Sequence, residues 1–465
     1  MTIWINNPFD FLPGEGARLQ RYGLLSQALA QAGHRVIWWS SDWNHVRKVG
    51  REVLKFESAK VLKLERENIE HSTSSFTNTA STYAKATVDE TADRSNIEQG
   101  LEIRLIKTMP YAKNVSVRRL ISHWLYAREW KKMALACVKE GDAKPDLILC
   151  SAPPLSTGWV MRDLCKHFGC PGVVDVMDLW PQTFERVAPK WLLWPLRWMA
   201  KRVYQGADGI SAVGDSYLEA VERQLQSAVA VGSGEERAPR QGEAVPSGKP
   251  MYRCYHGIGE VLKCESSKVL KLGETTADLK LAYVGNMGRG YDLETLVRAV
   301  MELRDEGCSI GLDLAGGGEQ EPALQSLAQS KSEAICFHGV VMGEPLRDLL
   351  AQADAGVVPM FPNTHVAVPY KLADYVASGL PVINSLPGET SSLLAQYRCG
   401  WSYEAGSVAS LKQALKAVYE LKQGEAAEFE ARGRNARRLA EECFDAARIY
   451  PEFVRWIIAT TKWSQ

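Results

Sequence analysis

Short apolar runs alternate with stretches of helical periodicity along most of the chain, and this order occurs in two successive sets. In the first set, Ile3–Asn6 and Val36–Trp39 are predicted strands, and Arg18–Gln31 between them has apolar residues at helical spacing. The same order starts again at Leu279 and continues to Asn384. Strand–helix–strand units form parallel sheets with right-handed crossovers. The sequence therefore predicts an α/β fold with two Rossmann-like, doubly wound domains.

The length of 465 residues exceeds what one hydrophobic core usually organises. We predict a first domain over 1–250, a second over 251–440 and a final helical segment over 441–465. The first domain contains a polar insert at about 52–100 and a weak linker at about 226–250. In the second domain the predicted strands are Leu281–Val284, Ile310–Ala315, Ala334–Phe337, Ala355–Val358 and Val382–Asn384, and the predicted helices are Leu293–Arg304, Glu344–Gln352 and Tyr370–Ser378.

One internal repeat is present. Glu52–Leu64 and Glu260–Leu272 are identical at 11 of 13 positions, but they occupy non-equivalent places in the two sets. Inserted surface strands and a contact between the two copies are both compatible with this repeat.

Charge and cysteine content exclude several classes of protein. Lys and Arg total 55, as do Asp and Glu, so the net charge is zero and a dedicated nucleic-acid binder is not expected. Ten cysteines are scattered without a C-x-x-C motif, and the closest pair is Cys165 and Cys170. We therefore expect reduced thiols, no structural metal and no metal cofactor. With no secretory signal and no apolar run of about 20 residues, a cytoplasmic protein is expected, with contact to a membrane face left open.

The segment with the clearest chemical meaning surrounds a short predicted helix. Pro369 suits the first helical position, while Gly379 and Pro381 bound the other end. The free backbone N–H groups at such a helix start attract anions, and Lys371 adds a positive charge in the first turn. Asp374 lies on the same face three residues later. An anion site and an ordinary surface pair of Lys371 with Asp374 are both compatible with this pattern.

The run VPYKLADYVASGLPVI resembles the donor-site helix of family-4 glycosyltransferases with the GT-B fold, whose familiar form is P-S-K-x-x-E-Y-x-A-x-G-x-P-V. Further segments are similar in the same order: GEGARLQRYGLLSQALAQAGHRVIWWSS, GADGISAVGDSY, YVGNMGRGYDLETLVRAV, LAGGGEQ and FHGVV. SAPP and DVMDLWPQ resemble a subgroup that builds bacterial surface polysaccharides such as O-antigen, capsule and exopolysaccharide. The resemblance implies two domains facing a cleft, with a last helix crossing back to the first domain. It also implies retaining transfer of a sugar from a nucleotide sugar, for which we expect a UDP-sugar, to a glycan or a polyprenyl-linked acceptor.

The resemblance also implies roles for individual residues. Lys371 and Arg289 would bind the donor diphosphate, and Asp374 would accept hydrogen bonds from the ribose. A solvated loop arginine is the alternative for Arg289, and plain tight turns are the alternative for the glycines. The remaining predicted donor-site residues are Gly285, Asn286, Gly288, Gly316, Gly318, Gly339, Val340, Pro369 and Tyr370.

In the first domain, Asp178 follows a predicted strand end and is our candidate for a carboxylate in the cleft, with a turn or cap aspartate as the alternative. Gly16 and Arg18 lie on the first strand-to-helix loop and are candidates for contact with the sugar or acceptor.

The chain departs from the family pattern at two acidic positions. Members often carry two glutamates eight positions apart, and here Val366 and Asp374 stand at those places. These two departures keep open a non-catalytic scaffold of a polysaccharide assembly complex. A nucleotide-sugar epimerase of the same GT-B fold is a second alternative.

Two segments, Val117–Lys132 and Trp191–Tyr204, mix tryptophan with several basic residues. Helices of this composition lie in membrane interfaces and contact anionic lipids. Contact with the inner face of the cell membrane and packing of amphipathic helices on their own sheet are both compatible with these sequences.

Overall fold

The computed structural model describes residues 1–15, 18–51, 60–62 (backbone only), 100–112, 116–185, 189, 191–230, 248–259 and 277–462. Gly16, most of the predicted insert at 52–100, most of 226–250 and nearly all of the repeated segments lie outside these ranges. The predicted linker at about 226–250 starts too early, because residues 226–230 belong to a helix that begins at Asp215.

The first domain is built on an eight-stranded parallel sheet and also has a small antiparallel hairpin. Its elements are β1 (Thr2–Asn6), α1 (Arg21–Gln31), β2 (Arg35–Ser41), β3 (Trp43–Asn44), β4 (Val49–Gly50), β5 (Lys60–Leu62), β6 (Leu101–Ile106), α2 (Val117–Lys139), β7 (Leu147–Ala152), α3 (Leu155–Phe168), β8 (Gly172–Val176), α4 (Trp194–Gly206), β9 (Gly209–Ala212), α5 (Asp215–Ala230) and β10 (Met251–Arg253). The hairpin is β3–β4, and the strand order of the large sheet is β10-β9-β8-β7-β1-β2-β6-β5. Because β10 pairs with β9, the first sheet extends past residue 250.

Alternate residues of the central strand β1 face two separate helical layers, as strand geometry requires. Trp4 packs into the core beneath α2, α3 and α4, where its ring meets Trp39 at 5.4 Å and Phe168 at 5.5 Å. Ile3 and Ile5 pack into the opposite core, beneath α1 and the last helix of the chain. This two-sided burial is the doubly wound arrangement predicted from the sequence.

The second domain is built on a six-stranded parallel sheet with the order β13-β12-β11-β14-β15-β16. Its elements are β11 (Leu279–Val284), α6 (Leu293–Asp305), β12 (Ile310–Ala315), α7 (Glu321–Ala328), β13 (Ile335–Gly339), α8 (Glu344–Gln352), β14 (Ala355–Val358), α9 (Tyr370–Ala377), β15 (Val382–Asn384), α10 (Glu389–Tyr397), β16 (Gly400–Ser402), α11 (Val408–Gly424), α12 (Ala426–Cys443) and α13 (Ala446–Thr460). Every strand and helix predicted for this domain is present, with bounds that agree within about two residues.

The last helix, α13, returns to the first domain and packs on α1. The hydroxyl of Tyr450 accepts a hydrogen bond from the backbone N–H of Gly257 at 3.1 Å, and Phe453 stacks on Tyr252 at 5.5 Å. The helix continues through Pro451. The crossover confirms the arrangement expected for the chain's end. Within the described parts of the chain, no helix has the length and apolar character needed to cross a bilayer.

Candidate active site between the two domains

The site is organised by the start of α9, at the cleft edge of the second domain. Pro369 is the residue before the helix rather than its first member, with φ −75° and ψ 146°, and the helix begins at Tyr370. This corrects the sequence-based position by one residue. Among the residues that the structure describes, the N-cap Pro369 supplies no side-chain hydrogen bond to the start of α9. The helix therefore presents uncapped N–H groups and the positive end of its dipole to the cleft.

Lys371 lies in the first turn of α9 and is 7% exposed. Its Nζ lies 3.9 Å from the centre of the Tyr283 ring and 4.1 Å from that of Tyr291. It has no hydrogen-bond partner among the described residues. Burial lowers the pKa of this ammonium group well below its usual range. The charge of Asp374 opposes this shift of the pKa, but no acceptor among the described residues bonds the ammonium, so this position suits an incoming anion.

Glycines form the floor beneath Lys371. At Gly285, φ is 139° and an added Cβ would lie 3.0 Å from Lys371 Nζ. At Gly316, φ is 137° and an added Cβ would overlap the carbonyl oxygen of Gly285. A Cβ on Gly318 would lie 2.6 Å from the carbonyl oxygen of Met287. These glycines are required by close backbone packing between the loops that follow β11 and β12, which brings both loops under the lysine.

The other predicted donor-site residues surround this floor. The carbonyl oxygen of Asn286 accepts a hydrogen bond from the Tyr283 hydroxyl at 2.5 Å, and a Cβ added to Gly288 would make only ordinary contacts with the Asn286 side chain. The carbonyl oxygen of Gly339 accepts one from the N–H of Gly316 at 2.6 Å. Val340 is 68% exposed beside it.

Arg289 is placed at the rim of this loop. Its side chain is 85% exposed, and Nε lies 2.9 Å from Glu319 Oε1. The guanidinium is therefore neutralised by a carboxylate and is not buried with Lys371. Binding a diphosphate at this rim would require Arg289 to exchange Glu319 for phosphate oxygens.

Asp374 forms an ion pair across the domain boundary with Arg18. The aspartate is nearly buried, whereas about half of the Arg18 side chain is exposed. From the sequence, Arg18 is predicted to contact the sugar or the acceptor. In the structure, its guanidinium contacts Asp374 on α9, the predicted donor-site helix. A surface pair between Lys371 and Asp374 is wrong, because both residues are buried and the carboxylate is paired with the arginine.

Two buried rings also join the domains at this point. Tyr370, the first residue of α9, stacks on His256 of the first domain with ring centres 3.6 Å apart. The Tyr370 hydroxyl and His256 Nδ1 have no partner among the residues described. Burial lowers the pKa of His256, so the ring is neutral. Sequence reasoning missed this histidine, because the segment around it carries no motif.

A buried ion pair fixes the chain that carries His256. Arg21 donates two hydrogen bonds to the carboxylate of Asp175, at 2.7 and 2.9 Å. It donates further bonds to the carbonyl oxygens of Cys254 and Tyr255, at 2.7 and 2.9 Å. The pair thereby ties α1 and β8 to the segment leading to His256. A fully bonded buried pair of this kind supports position more than stability.

A second contact between the domains is made by Glu389 at the start of α10. Its carboxylate accepts hydrogen bonds from the backbone N–H of Asp215 at 3.0 Å and from the Tyr255 hydroxyl at 2.7 Å. A Cβ added to Gly214 would lie 2.6 Å from the Cβ of Ala367. The second domain thus supplies the cap for α5 of the first domain, at a point where its side chains leave no space for a Cβ on Gly214. Sequence reasoning also missed Glu389.

Asp178 lies just beyond the end of β8. Its carboxylate accepts a hydrogen bond from Trp180 Nε1 at 3.2 Å. Burial raises its pKa to about 6, opposed by hydrogen bonds from Trp180 and Leu179 and by the charge of Arg119. The side chain therefore stabilises the local turn through its hydrogen bonds, and its pKa is also suited to proton exchange near neutrality.

A cavity of about 500 Å³ lies between the domains. Its wall includes Leu179, the neighbour of Asp178, and Gln182 and Tyr217 of the first domain. From the second domain it includes His365 and Val366, so the position of the missing acid faces this space. The cavity is large enough for a sugar-sized group.

Comparisons with known proteins agree with this architecture. Residues 278–420 match the family described as Glycosyl transferases group 1. No curated protein sequence matches the chain. Among solved structures, a sucrose-phosphate synthase from Thermosynechococcus elongatus is 15% identical, with a TM-score of 0.62 over 98% of this chain and 99% of that one.

Two further structures cover the chain equally well. HepE from Anabaena, solved with UDP and glucose, is 12% identical, with a TM-score of 0.59 over 99% of this chain and 100% of that one. The lipopolysaccharide outer core galactosyltransferase WaaB, in its apo form, is 12% identical, with a TM-score of 0.52 over 99% of both chains. The chain therefore has the GT-B fold, and its second domain, which carries Lys371 and Asp374, matches the group 1 glycosyl transferases.

Proposed function

We propose that this protein transfers a sugar from a nucleoside-diphosphate sugar to a hydroxyl of a glycan or lipid-linked oligosaccharide, with retention of configuration, in the synthesis of a surface polysaccharide. The observation that carries this proposal is the Nζ of Lys371, which is buried between Tyr283 and Tyr291 without a hydrogen-bond partner among the described residues. The start of α9 and the glycine floor surround the same point.

A diphosphate satisfies each of these features at once. Its oxygens accept hydrogen bonds from Lys371 and from the uncapped N–H groups of α9. The close-packed glycines bring the backbone of two loops to the same point, under the lysine. On this proposal Asp374, one turn along the helix, accepts hydrogen bonds from the ribose hydroxyls after Arg18 has moved away. The UDP and glucose bound in HepE support a UDP-sugar as the donor.

The chemistry follows from where charge develops. As the bond between the anomeric carbon and the diphosphate breaks, negative charge grows on the leaving oxygen, and the Lys371 ammonium stabilises it. On a retaining path the acceptor hydroxyl attacks from the same face and gives its proton to a leaving phosphate oxygen. The incoming sugar occupies the interdomain cavity beside Val366, where a valine makes no hydrogen bond to its hydroxyls.

Nucleotide-sugar binding tests the proposal directly. The protein should be selectively stabilised by one class among UDP-, GDP- and ADP-sugars in thermal-shift measurements. Lys371→Ala should abolish this stabilisation, and Lys416→Ala, at an exposed lysine of the same domain, should retain it. Absence of stabilisation by every nucleotide sugar would support a scaffold instead. Conversion of the donor sugar in the absence of an acceptor would support an epimerase.

A further inference from the structure

The first domain exposes an unusual concentration of large apolar side chains on two helices. Among the described residues, 13 large hydrophobic side chains are exposed, and nine of them belong to two short stretches. These stretches are 117–125, in the first turns of α2, and 191–198, at the start of α4. We call them together the aromatic–basic surface; its exposed apolar members are Val117, Leu120, Ile121, Trp124, Leu125, Trp191, Leu192, Trp194 and Trp198.

Folding of the domain does not require these side chains. Other residues of α2, namely Tyr126, Ala127 and Trp130, face inward and are buried in the core. The outward face of a helix on a globular protein is normally polar. Here Trp124 is 56% exposed and Trp191 is 75% exposed. Contiguous apolar side chains facing water mark an interaction surface.

Basic residues surround the aromatic rings. Helices α2 and α4 contain nine lysines and arginines and one acidic residue, whereas the whole chain has no net charge. The guanidinium of Arg128 lies 5.9 Å from the centre of the Trp124 ring, and that of Arg202 lies 5.6 Å from Trp198. Tryptophan rings flanked by exposed cations complement a bilayer with anionic headgroups.

The two stretches belong to one edge of the domain. Helix α3 packs between α2 and α4, and its Trp159 meets Trp198 with ring centres 5.4 Å apart. All three helices begin where the parallel strands end, which is the edge of the sheet that faces the cleft. Trp180, two residues after Asp178, contacts His123 of α2 at 5.7 Å between ring centres. The aromatic–basic surface therefore borders the cleft at Asp178.

We propose that the aromatic–basic surface docks the first domain on a bilayer containing anionic lipids. The tryptophan rings lie at the level of the headgroups, and the exposed arginines beside them, Arg128 and Arg202, pair with lipid phosphates. Because the surface borders the cleft, an acceptor carried by a lipid reaches Asp178 directly from the bilayer. Only this last statement rests on the proposed function; docking itself stands on the exposed rings and cations.

Vesicle co-sedimentation of the full chain tests the docking. The probes are phosphatidylcholine vesicles with and without phosphatidylglycerol. Binding is expected with the anionic vesicles and should weaken as salt is added. Changing Trp124, Trp191 and Trp194 together to serine should reduce binding to that seen with neutral vesicles. Val46→Ser with Val49→Ser, which removes exposed apolar groups elsewhere in the domain, should leave binding unchanged.

Charge reversal gives an independent measure. Arg128→Glu and Arg202→Glu should each weaken binding at least about fivefold at low salt, since one cation near an anionic surface contributes about that factor. Arg434→Glu and Arg455→Glu, at arginines that are 68% and 73% exposed on α12 and α13, should have little effect.

Three results would overturn the docking proposal: equal binding of the tryptophan variant, equal binding to neutral vesicles, or a dimer of the wild-type chain that the tryptophan changes dissociate. The last result would assign the surface to a second copy of the chain. Thermal unfolding and nucleotide-sugar stabilisation of the tryptophan variant should match the wild type, which separates loss of docking from misfolding. Vesicle binding without any nucleotide-sugar stabilisation would leave the docking intact and refute the proposed function.

Discussion

Arg18 of the first domain is ion-paired with Asp374 of the second, on the helix that also carries Lys371. The carboxylate proposed to bind the donor ribose is therefore paired with a side chain of the opposite domain. On the proposed function, donor binding exchanges this interdomain contact for a contact with the nucleotide.

The first prediction concerns this exchange. Arg18→Ala should tighten UDP binding by a few-fold, because the ribose no longer competes with a guanidinium; a half-exposed pair contributes about 0.5–1 kcal/mol. The gain should vanish in an Asp374→Asn background, since the competing pair is then already absent. Isothermal titration of the four proteins in this cycle measures the coupling. Weaker UDP binding by Arg18→Ala would identify the arginine as a donor ligand instead.

The second prediction is proton uptake on binding. Burial lowers the pKa of Lys371 in the free protein, and a diphosphate beside it must raise that pKa again. Between these two pKa values binding takes up a proton, so diphosphate affinity falls as pH rises through this window. Titration calorimetry in buffers of different ionisation enthalpy detects the uptake. Lys371→Met should lose it and Lys416→Ala should keep it; uptake that survives in Lys371→Met would point to another group.

The third prediction concerns the close approach of the domains at Gly214. A methyl group there would lie 2.6 Å from Ala367 Cβ and 2.7 Å from a carboxylate oxygen of Glu389. Gly214→Ala should therefore open the cleft and reduce sugar transfer while each domain stays folded. Small-angle scattering should show an increased radius of gyration. Gly424→Ala, where an added methyl meets nothing within 4 Å, is the matched control and should change neither property.

The fourth prediction compares two adjacent glycines. Gly316→Ala places a methyl group against the carbonyl oxygen of Gly285 at a φ of 137°, so it should cost about 3 kcal/mol of unfolding free energy or more. Gly317→Ala meets its first neighbour, the Glu321 carboxylate, at 3.4 Å and should cost less than about 1 kcal/mol. Chemical denaturation of both variants measures the difference. Equal costs would show that the loop relaxes around the added methyl.

The fifth prediction uses the raised pKa of Asp178. Its folded-state pKa of about 6 exceeds the ordinary 3.8, so the folded protein binds more protons between these values. Stability contributed by this group is therefore present in acid and lost as pH rises toward about 6. Asp178→Asn should remove this slope and stabilise the protein by about 1–3 kcal/mol at neutral pH. Unfolding free energies across the pH range test it; an unchanged slope would show that Asp178 has an ordinary pKa.

Much of the fold was predictable because it depends on local periodicity. The bounds of β12, α8, β14 and β15 agree with prediction, since short apolar runs between helical segments define buried parallel strands. Lys371 was found because it stands in a recognisable helix start. His256 and Glu389 were not found, because their partners Tyr370 and Asp215 are more than 100 residues away in the sequence.

The sequence by itself determined the two α/β halves and the helix that carries Lys371 and Asp374, because hydrophobic periodicity and helix-end residues act over a few positions. Only the tertiary structure decided which charges meet. Lys371 and Asp374 do not form an ion pair with each other. The carboxylate of Asp374 is paired with Arg18, and the ammonium group of Lys371 lies between two tyrosine rings. The physical reason is that pairing in a cleft depends on how two sheets approach each other, and that approach is set by α13 and the long-range contacts of Glu389, not by neighbours in sequence.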